Sequence, residues 1–233
     1  MDRKIVVTIL GSAILGFFAV LLLMPPTIDD GTVRLPWRAQ VNAAGHTEVF
    51  GFTLGETTLA EVRRVFGEDG TINLFETPDR DERLGVEVFF EQVYLQSLRA
   101  AFVVTLDLDQ AALAPMYERG LRISQLGSGA RKIKLDPADV DILLGRPIRA
   151  ITYLPQARLD EDLIAKRFGT PGERRTEPET GIVHWLYPER GMDIARDPKG
   201  KVVIQYVNPT DFAALLGPLP AESAPAEAAS AVH

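Results

Sequence analysis

No cysteine occurs anywhere in the 233 residues. That excludes a disulfide framework, a thiolate metal site and a cysteine nucleophile, and it removes the residue that would carry the lipid of a lipoprotein. Histidine is scarce, with 3 in the chain: His46, His184 and His233. Acid–base chemistry near neutral pH would therefore fall to His184, which alone sits in a strand-like run. Beside Trp185 it reads better as a half-buried strand residue than as a catalyst. Positive charge is in deficit too, with 25 Lys and Arg against 32 Asp and Glu and a formal net charge of −7. A surface of that sign argues against nucleic acid or anionic lipid as the main partner. Local basic groups such as Arg131, Lys132 and Lys134, or Arg174 and Arg175, read as solvated faces.

The motifs that would identify a reaction are also missing. Gly127-Ser128-Gly129-Ala130-Arg131-Lys132 lacks the spacing of a P-loop and of a hydrolase nucleophile elbow. Asp107 and Asp109 could share a metal, but Asp109 stands where a helix needs its cap. Asp136, Asp139 and Asp141 decorate a helix start and lack the glycine and closing glutamate of a calcium loop. No catalytic, cofactor-binding or metal-binding residue is assigned.

What the chain does contain is a long apolar run, Ile5 to Met24, with no charged side chain. At 1.5 Å per residue, about 20 residues make a helix roughly 30 Å long, which is the thickness of a bilayer's hydrocarbon core. A cleaved secretory signal would have a shorter core followed directly by small residues. Here Met24 runs into Pro25-Pro26, and the one passable cleavage pattern, Val41-Asn42-Ala43, lies far downstream. The run therefore reads as an uncleaved signal-anchor in an inner membrane. Arg3 and Lys4 precede it, and Arg34 and Arg38 follow at some distance. The short head and the acidic Asp29 and Asp30 favour a cytoplasmic N-terminus and a periplasmic bulk.

Residues 25–47 read as a linker rich in turn-forming residues. Val49 to Leu54 then forms a short strand-like run, and Thr58-Leu59-Ala60-Glu61 is a capping box that opens a helix closed by Phe66-Gly67. Gly85 to Glu91 and Leu98 to Leu108 read as strands, the second alternating as a sheet with one covered face does. Further helices are expected after Asp109, Asp136 and Asp160, and strands over Ile148 to Leu154, Ile182 to Tyr187, Met192 to Ala195 and Lys201 to Val207. Phe168-Gly169 echoes Phe66-Gly67, and each is followed at a similar distance by a strand, around Ile204 and Val104. The expected fold class is therefore α+β: a transmembrane helix followed by two tandem units of short helices packed on an antiparallel sheet. The units would cover 48–126 and 127–212, with 213–233 as a disordered, Pro/Ala-rich tail.

Thr58 to Gly67, TLAEVRRVFG, and Leu159 to Pro171, LDEDLIAKRFGTP, resemble the small outer-membrane assembly lipoprotein family of the SmpA/OmlA type. In that family a helix ends in Leu/Phe-Gly-x-Pro, followed by a Trp/Tyr-rich strand and a hairpin on Asp-x-x-Gly-Lys. The second copy matches through Phe168-Gly169-Thr170-Pro171, Trp185-Leu186-Tyr187 and Asp197-Pro198-Lys199-Gly200-Lys201. The first departs, with Glu68-Asp69 where proline is expected. The resemblance implies helices on one face of an antiparallel sheet and a binding or scaffolding role in the envelope. Tandem copies would be similar to the β-lactamase inhibitor protein fold, also a binder. An anchor in place of the lipidated cysteine argues against a direct role at the outer membrane.

These readings lead to a non-enzymatic envelope protein that binds other envelope proteins in the periplasm and holds the inner membrane through Ile5 to Met24. Trp185 and Tyr187, on one side of their strand, are the candidate protein-binding residues if that side is open; the competing reading gives both rings to the core. Two alternatives stand beside it. One is an accessory subunit of an inner-membrane complex that associates through Gly11, Ser12 and Gly16. The other is an enzyme using carboxylates gathered from distant positions.

Overall fold

A computed structural model describes residues 33–77, 84–96, 98–127 and 129–216, so the apolar run Ile5 to Met24 lies outside the described residues. Among the described residues no helix is long and apolar enough to cross a membrane. The strands, in chain order, are β1 (Gln40–Val41), β2 (Thr47–Val49), β3 (Phe52–Thr53), β4 (Thr71–Glu76), β5 (Leu84–Leu95), β6 (Leu98–Leu106) and β7 (Arg122–Gln125). They continue with β8 (Arg131–Lys134), β9 (Ile148–Pro155), β10 (Glu173–Thr176), β11 (Val183–Tyr187), β12 (Met192–Arg196) and β13 (Val202–Tyr206). The helices are α1 (Leu59–Phe66), α2 (Gln110–Glu118), α3 (Pro137–Leu143), α4 (Glu161–Phe168) and α5 (Phe212–Leu216).

The expected arrangement of two tandem α+β units is corrected by the strand order. Strands of both halves join one 10-stranded antiparallel sheet, β10-β11-β12-β13-β9-β6-β5-β4-β8-β7, beside a 3-stranded sheet, β1-β2-β3. Three pairings weld the halves, one of them the β7–β8 hairpin that spans the expected boundary. The β6–β9 ladder runs from Ala100↔Pro155 to Leu106↔Ile148, and β8 crosses back to pair with β4 through Leu74↔Ile133. The described residues from Val33 onward accordingly form one unit. The fold is mostly sheet, with five short helices as accessories. Part of the expected linker is structured, since β1 lies within it, and α5 occupies the first residues of the expected tail.

The helices start where the caps predict. Thr58 accepts from the Glu61 amide while the Glu61 carboxylate accepts from the Thr58 amide at 2.8 Å, which completes the capping box. Asp109, Asp136 and Asp160 accept from the amides of Ala112, Ala138 and Leu163 at 2.7, 2.9 and 2.7 Å. Thr58→Ala should cost about 1 kcal/mol, read as a lower urea midpoint at unchanged slope.

One face of the large sheet carries nearly all of the core. Val88, Phe90, Phe102, Val104, Ile151, Tyr153, Ile194, Ile204 and Tyr206 alternate inward along their strands and meet Leu59, Val62 and Phe66 of α1 and Ile164 and Phe168 of α4. The small sheet sits on the same face. Its β2–β3 turn, Phe50-Gly51, has φ of +58° and +79°, as a two-residue type I′ hairpin requires. That turn drives the Phe50 ring among Phe102, Tyr153 and Tyr206, with centroids 5.2, 5.3 and 5.6 Å away. Burial pushes the Tyr153 phenol up to about 12 and the Tyr206 phenol well above its ordinary value. Both are neutral core groups, and the Tyr206 hydroxyl donates to the Pro36 carbonyl at 2.8 Å. Trp37 packs edge-on against Phe168, at 6.3 Å between ring centroids.

Candidate functional site

Successive side chains of a strand point to opposite faces, so the core on one side defines a second face by parity. Register traces one row of that second face across the sheet. It runs Glu173, Leu186, Asp193, Gln205, Thr152, Val103, Phe89 and Thr71, each directly opposite the next. A neighbouring row runs Ala150, Thr105, Glu87 and Asn73, and a third Gly85, Phe75, Lys132 and Ser124.

Among the described residues, cover on this face is local. Leu186, Val207 and Phe212 are buried together, with Ala150, Leu215 and Leu216 packed against them, so α5 shields the β9–β13 region. Beside α5 lies a shallow groove of about 270 Å³, lined among others by Phe75, Glu87, Val103, Thr105, Thr152 and Gln205. Toward β5 the face opens, and Phe89 is 42% exposed. Its middle mixes Phe75, Val103 and Phe89 with Thr105, Thr152, Gln205 and the Glu87 carboxylate, and further charged residues stand toward its ends. A mixture of apolar and polar side chains of this kind is ordinary for a surface that binds another protein.

The β10–β12 rim holds a buried polar group. His184 is 7% exposed, with Nδ1 2.8 Å from Asp193 Oδ2 and Nε2 3.1 Å from Glu177 Oε1. Asp193 is 3% exposed, and its Oδ1 has no hydrogen-bond partner among the described residues. Burial works against the imidazolium, but hydrogen bonds and charge from Asp193 and Glu177 outweigh it and raise the His184 pKa. Glu177 is held below its ordinary range, first by the Thr180 hydroxyl and then by His184. Because both ring nitrogens face carboxylates, neither is offered to a substrate. The arrangement ties the loop after β10 to β12.

Trp185 and Tyr187 share a side of β11, as their spacing implies, and that side is the covered one. They are 3% and 4% exposed and belong to the core. The Tyr187 hydroxyl donates to the Gly169 carbonyl at 2.9 Å, and Arg174 lies over the Trp185 ring, 4.2 Å from its centroid. Both rings anchor the end of α4, and neither lies on the uncovered face. Phe75, Phe89 and Val103 do, and sequence reading did not single them out. Their signal was the off-core parity of β6, where Ala101 and Val103 stand where a solvated face would carry polar side chains. Among the described residues no group of three or more His, Asp or Glu side chains could hold a metal. Asp109 is occupied as a cap, and Asp139 is buried and bound by Arg119 at 2.6 Å.

No family model matches this chain, and no curated protein matches it. A crystal structure of a DUF4309 family protein (YjgB) from Bacillus subtilis is similar at 11% identity with a TM-score of 0.35, over 70% of this chain and 88% of that one. Neither a shared fold nor a shared role follows from a likeness of that size.

Proposed function

We propose that this chain is a binding or scaffolding module of the bacterial envelope, anchored in the inner membrane by Ile5 to Met24 with its bulk in the periplasm. It works without catalysis, and it meets another envelope protein through the uncovered face of the large sheet. The observation that carries the reading is the row Gln205, Thr152, Val103 and Phe89, a strip of neutral side chains that the described residues leave open from the edge of α5 to Phe89. The engagement of both His184 nitrogens by carboxylates supports a role without catalysis. The likeness of Phe168-Gly169-Thr170-Pro171 and Asp197 to Lys201 to the SmpA/OmlA motifs agrees with an envelope binder.

The test is a photo-crosslinking amino acid placed at Val103 or Phe89 of the full chain in cells, with Glu118 on α2 as the control position. One envelope protein should be captured from both face positions and not from Glu118. Val103→Arg should reduce that capture by about tenfold or more while the protein still melts cooperatively. If the face positions capture nothing and exchanging Ile5 to Met24 for an unrelated span abolishes association, the accessory-subunit alternative replaces this reading.

A further inference from the structure

We infer that the partner presents an acidic polypeptide segment to the β7–β8 end of the uncovered face, where Arg122, Lys132 and Lys134 stand together near Phe75. The inference rests on the reading of this face as the binding surface and adds the chemistry of what it binds.

The register assembles the site. Lys132 lies directly opposite Phe75 of β4 and Ser124 of β7, which puts it on the uncovered face. Lys134, two residues on, shares that face, and Arg122 lies directly opposite Lys134. Like charges opposed across a strand pair repel, so this arrangement is unfavourable unless an anion answers it. Several arginines elsewhere do meet a carboxylate. Arg119 meets Asp139 at 2.6 Å, Arg131 meets Glu76 at 3.1 Å, Arg149 meets Asp211 at 3.6 Å and Arg174 meets Glu161 at 2.7 Å. Among the described residues no carboxylate lies within ion-pair distance of Arg122, Lys132 or Lys134. No acidic residue occurs between Arg119 and Leu135, and the nearest carboxylate along the rows, Glu87, stands in β5 with Asn73 of β4 between. A chain of net charge −7 thus gathers, at one end of this face, three cations that no carboxylate among the described residues answers.

Polypeptide fits this end better than lipid. The apolar side chains that could enter a bilayer, Leu121 and Ile123, are exposed, but Ile123 opposes Ile133 and so shares the core-side parity of the hairpin. The cations and these apolar groups point to opposite sides, and one membrane plane cannot receive both. On the cations' own side the neighbours are Phe75, Ser124 and Asn73, with Glu87 beyond Asn73 and the strip of Val103 and Phe89 in the row after it. A segment with carboxylates at one end and apolar side chains beyond matches that order.

Surface charges of this kind govern encounter and its salt dependence more than contact strength. The experiment uses the full chain in zwitterionic detergent and fluorescence anisotropy of two labelled peptides, one alternating glutamate with phenylalanine and serine, the other with lysine for glutamate. The glutamate peptide should bind and the lysine peptide should not. The triple change Arg122→Glu, Lys132→Glu, Lys134→Glu should weaken binding by about tenfold or more, and added salt should weaken it similarly. A control triple, Lys166→Glu, Lys199→Glu, Lys201→Glu, should leave it unchanged, with melting curves confirming that both variants fold. Equal binding of the glutamate peptide by both triples overturns the inference. So does indifference to the peptide combined with uptake on phosphatidylcholine vesicles containing phosphatidylglycerol, which would make the site a lipid contact. Undiminished crosslinking from Val103 in the Arg122/Lys132/Lys134 variant would leave the binding face standing and remove the acidic partner. Cation-dependent peptide binding without any crosslink from Val103 would do the reverse.

Discussion

Phe50→Ala should lower the unfolding free energy by about 3–5 kcal/mol, the usual cost of deleting a buried aromatic ring. The ring is fully enclosed and touches aromatic residues of β6, β9 and β13, so its loss opens a cavity where the small sheet meets the large one. The backbone makes the test sharper. At φ +58° a residue with a Cβ is held in the left-handed region, which costs roughly 1–2 kcal/mol and is tolerated here because the ring is so well packed. Alanine keeps that strain and loses the ring, whereas glycine loses the ring and relieves the strain. Phe50→Gly should therefore be no worse than Phe50→Ala, the reverse of the order expected inside a strand. Urea unfolding of both variants reads the result, and a Phe50→Ala loss under 1 kcal/mol would show that the hairpin is not held by this ring.

Asp193→Ala should destabilise by about 3 kcal/mol at mildly acidic pH, in the range found when one member of a buried charged pair is removed. The His184 pKa is raised in the folded protein above the unfolded value of about 6.5. The stability it contributes is then fully present below that value and is lost as pH rises through the folded one. Glu177 acts in the opposite sense, since its lowered pKa contributes above the ordinary carboxylate range and is lost as pH falls. The clasp is thus strongest between the two limits and loosens on the alkaline side. The melting temperature of the unaltered protein should fall from pH 6 to pH 9 by more than that of His184→Gln. Equal pH dependence in the two would mean that the imidazolium adds nothing to the fold.

The elements were far more legible in the sequence than their assembly. Thr58, Asp109, Asp136 and Asp160 announced their helices through local chemistry, because an N-cap needs only its own next few amides. The alternation of Leu98 to Leu106 announced a sheet with one covered face. Strand neighbours are a different matter. That β8 pairs with β4, or β9 with β6, depends on both partners and on everything stacked against them, and alternation specifies a face without naming a neighbour. The echo of Phe66-Gly67 in Phe168-Gly169 suggested duplication, yet the two glycines do different things. Gly67 closes its helix at φ +69°, ψ +17°, in the left-handed form, and Gly169 leaves its helix at φ +83°, ψ −166°. Parity was likewise legible for Trp185 and Tyr187, the residues expected to bind a partner. Spacing put Trp185 and Tyr187 on one side of β11, but only the position of α4 decides that this side is buried.

The small sheet near the start of the described chain is secured by residues near its end. The Thr47 hydroxyl donates to the Val207 carbonyl at 2.7 Å, the Thr47 amide to Asn208 at 2.9 Å, and the Tyr206 hydroxyl reaches back to Pro36. Gly191 lies in the same junction, where a Cβ would collide with the Val207 carbonyl, so the closure leaves no room for a side chain. A chain made from its N-terminus therefore produces β1 to β3 early and cannot fasten them until β13 has followed. Phe52 finds Phe66 of α1 soon after it is made, but Phe50 lacks one wall of its site until Tyr206 arrives with the last strand.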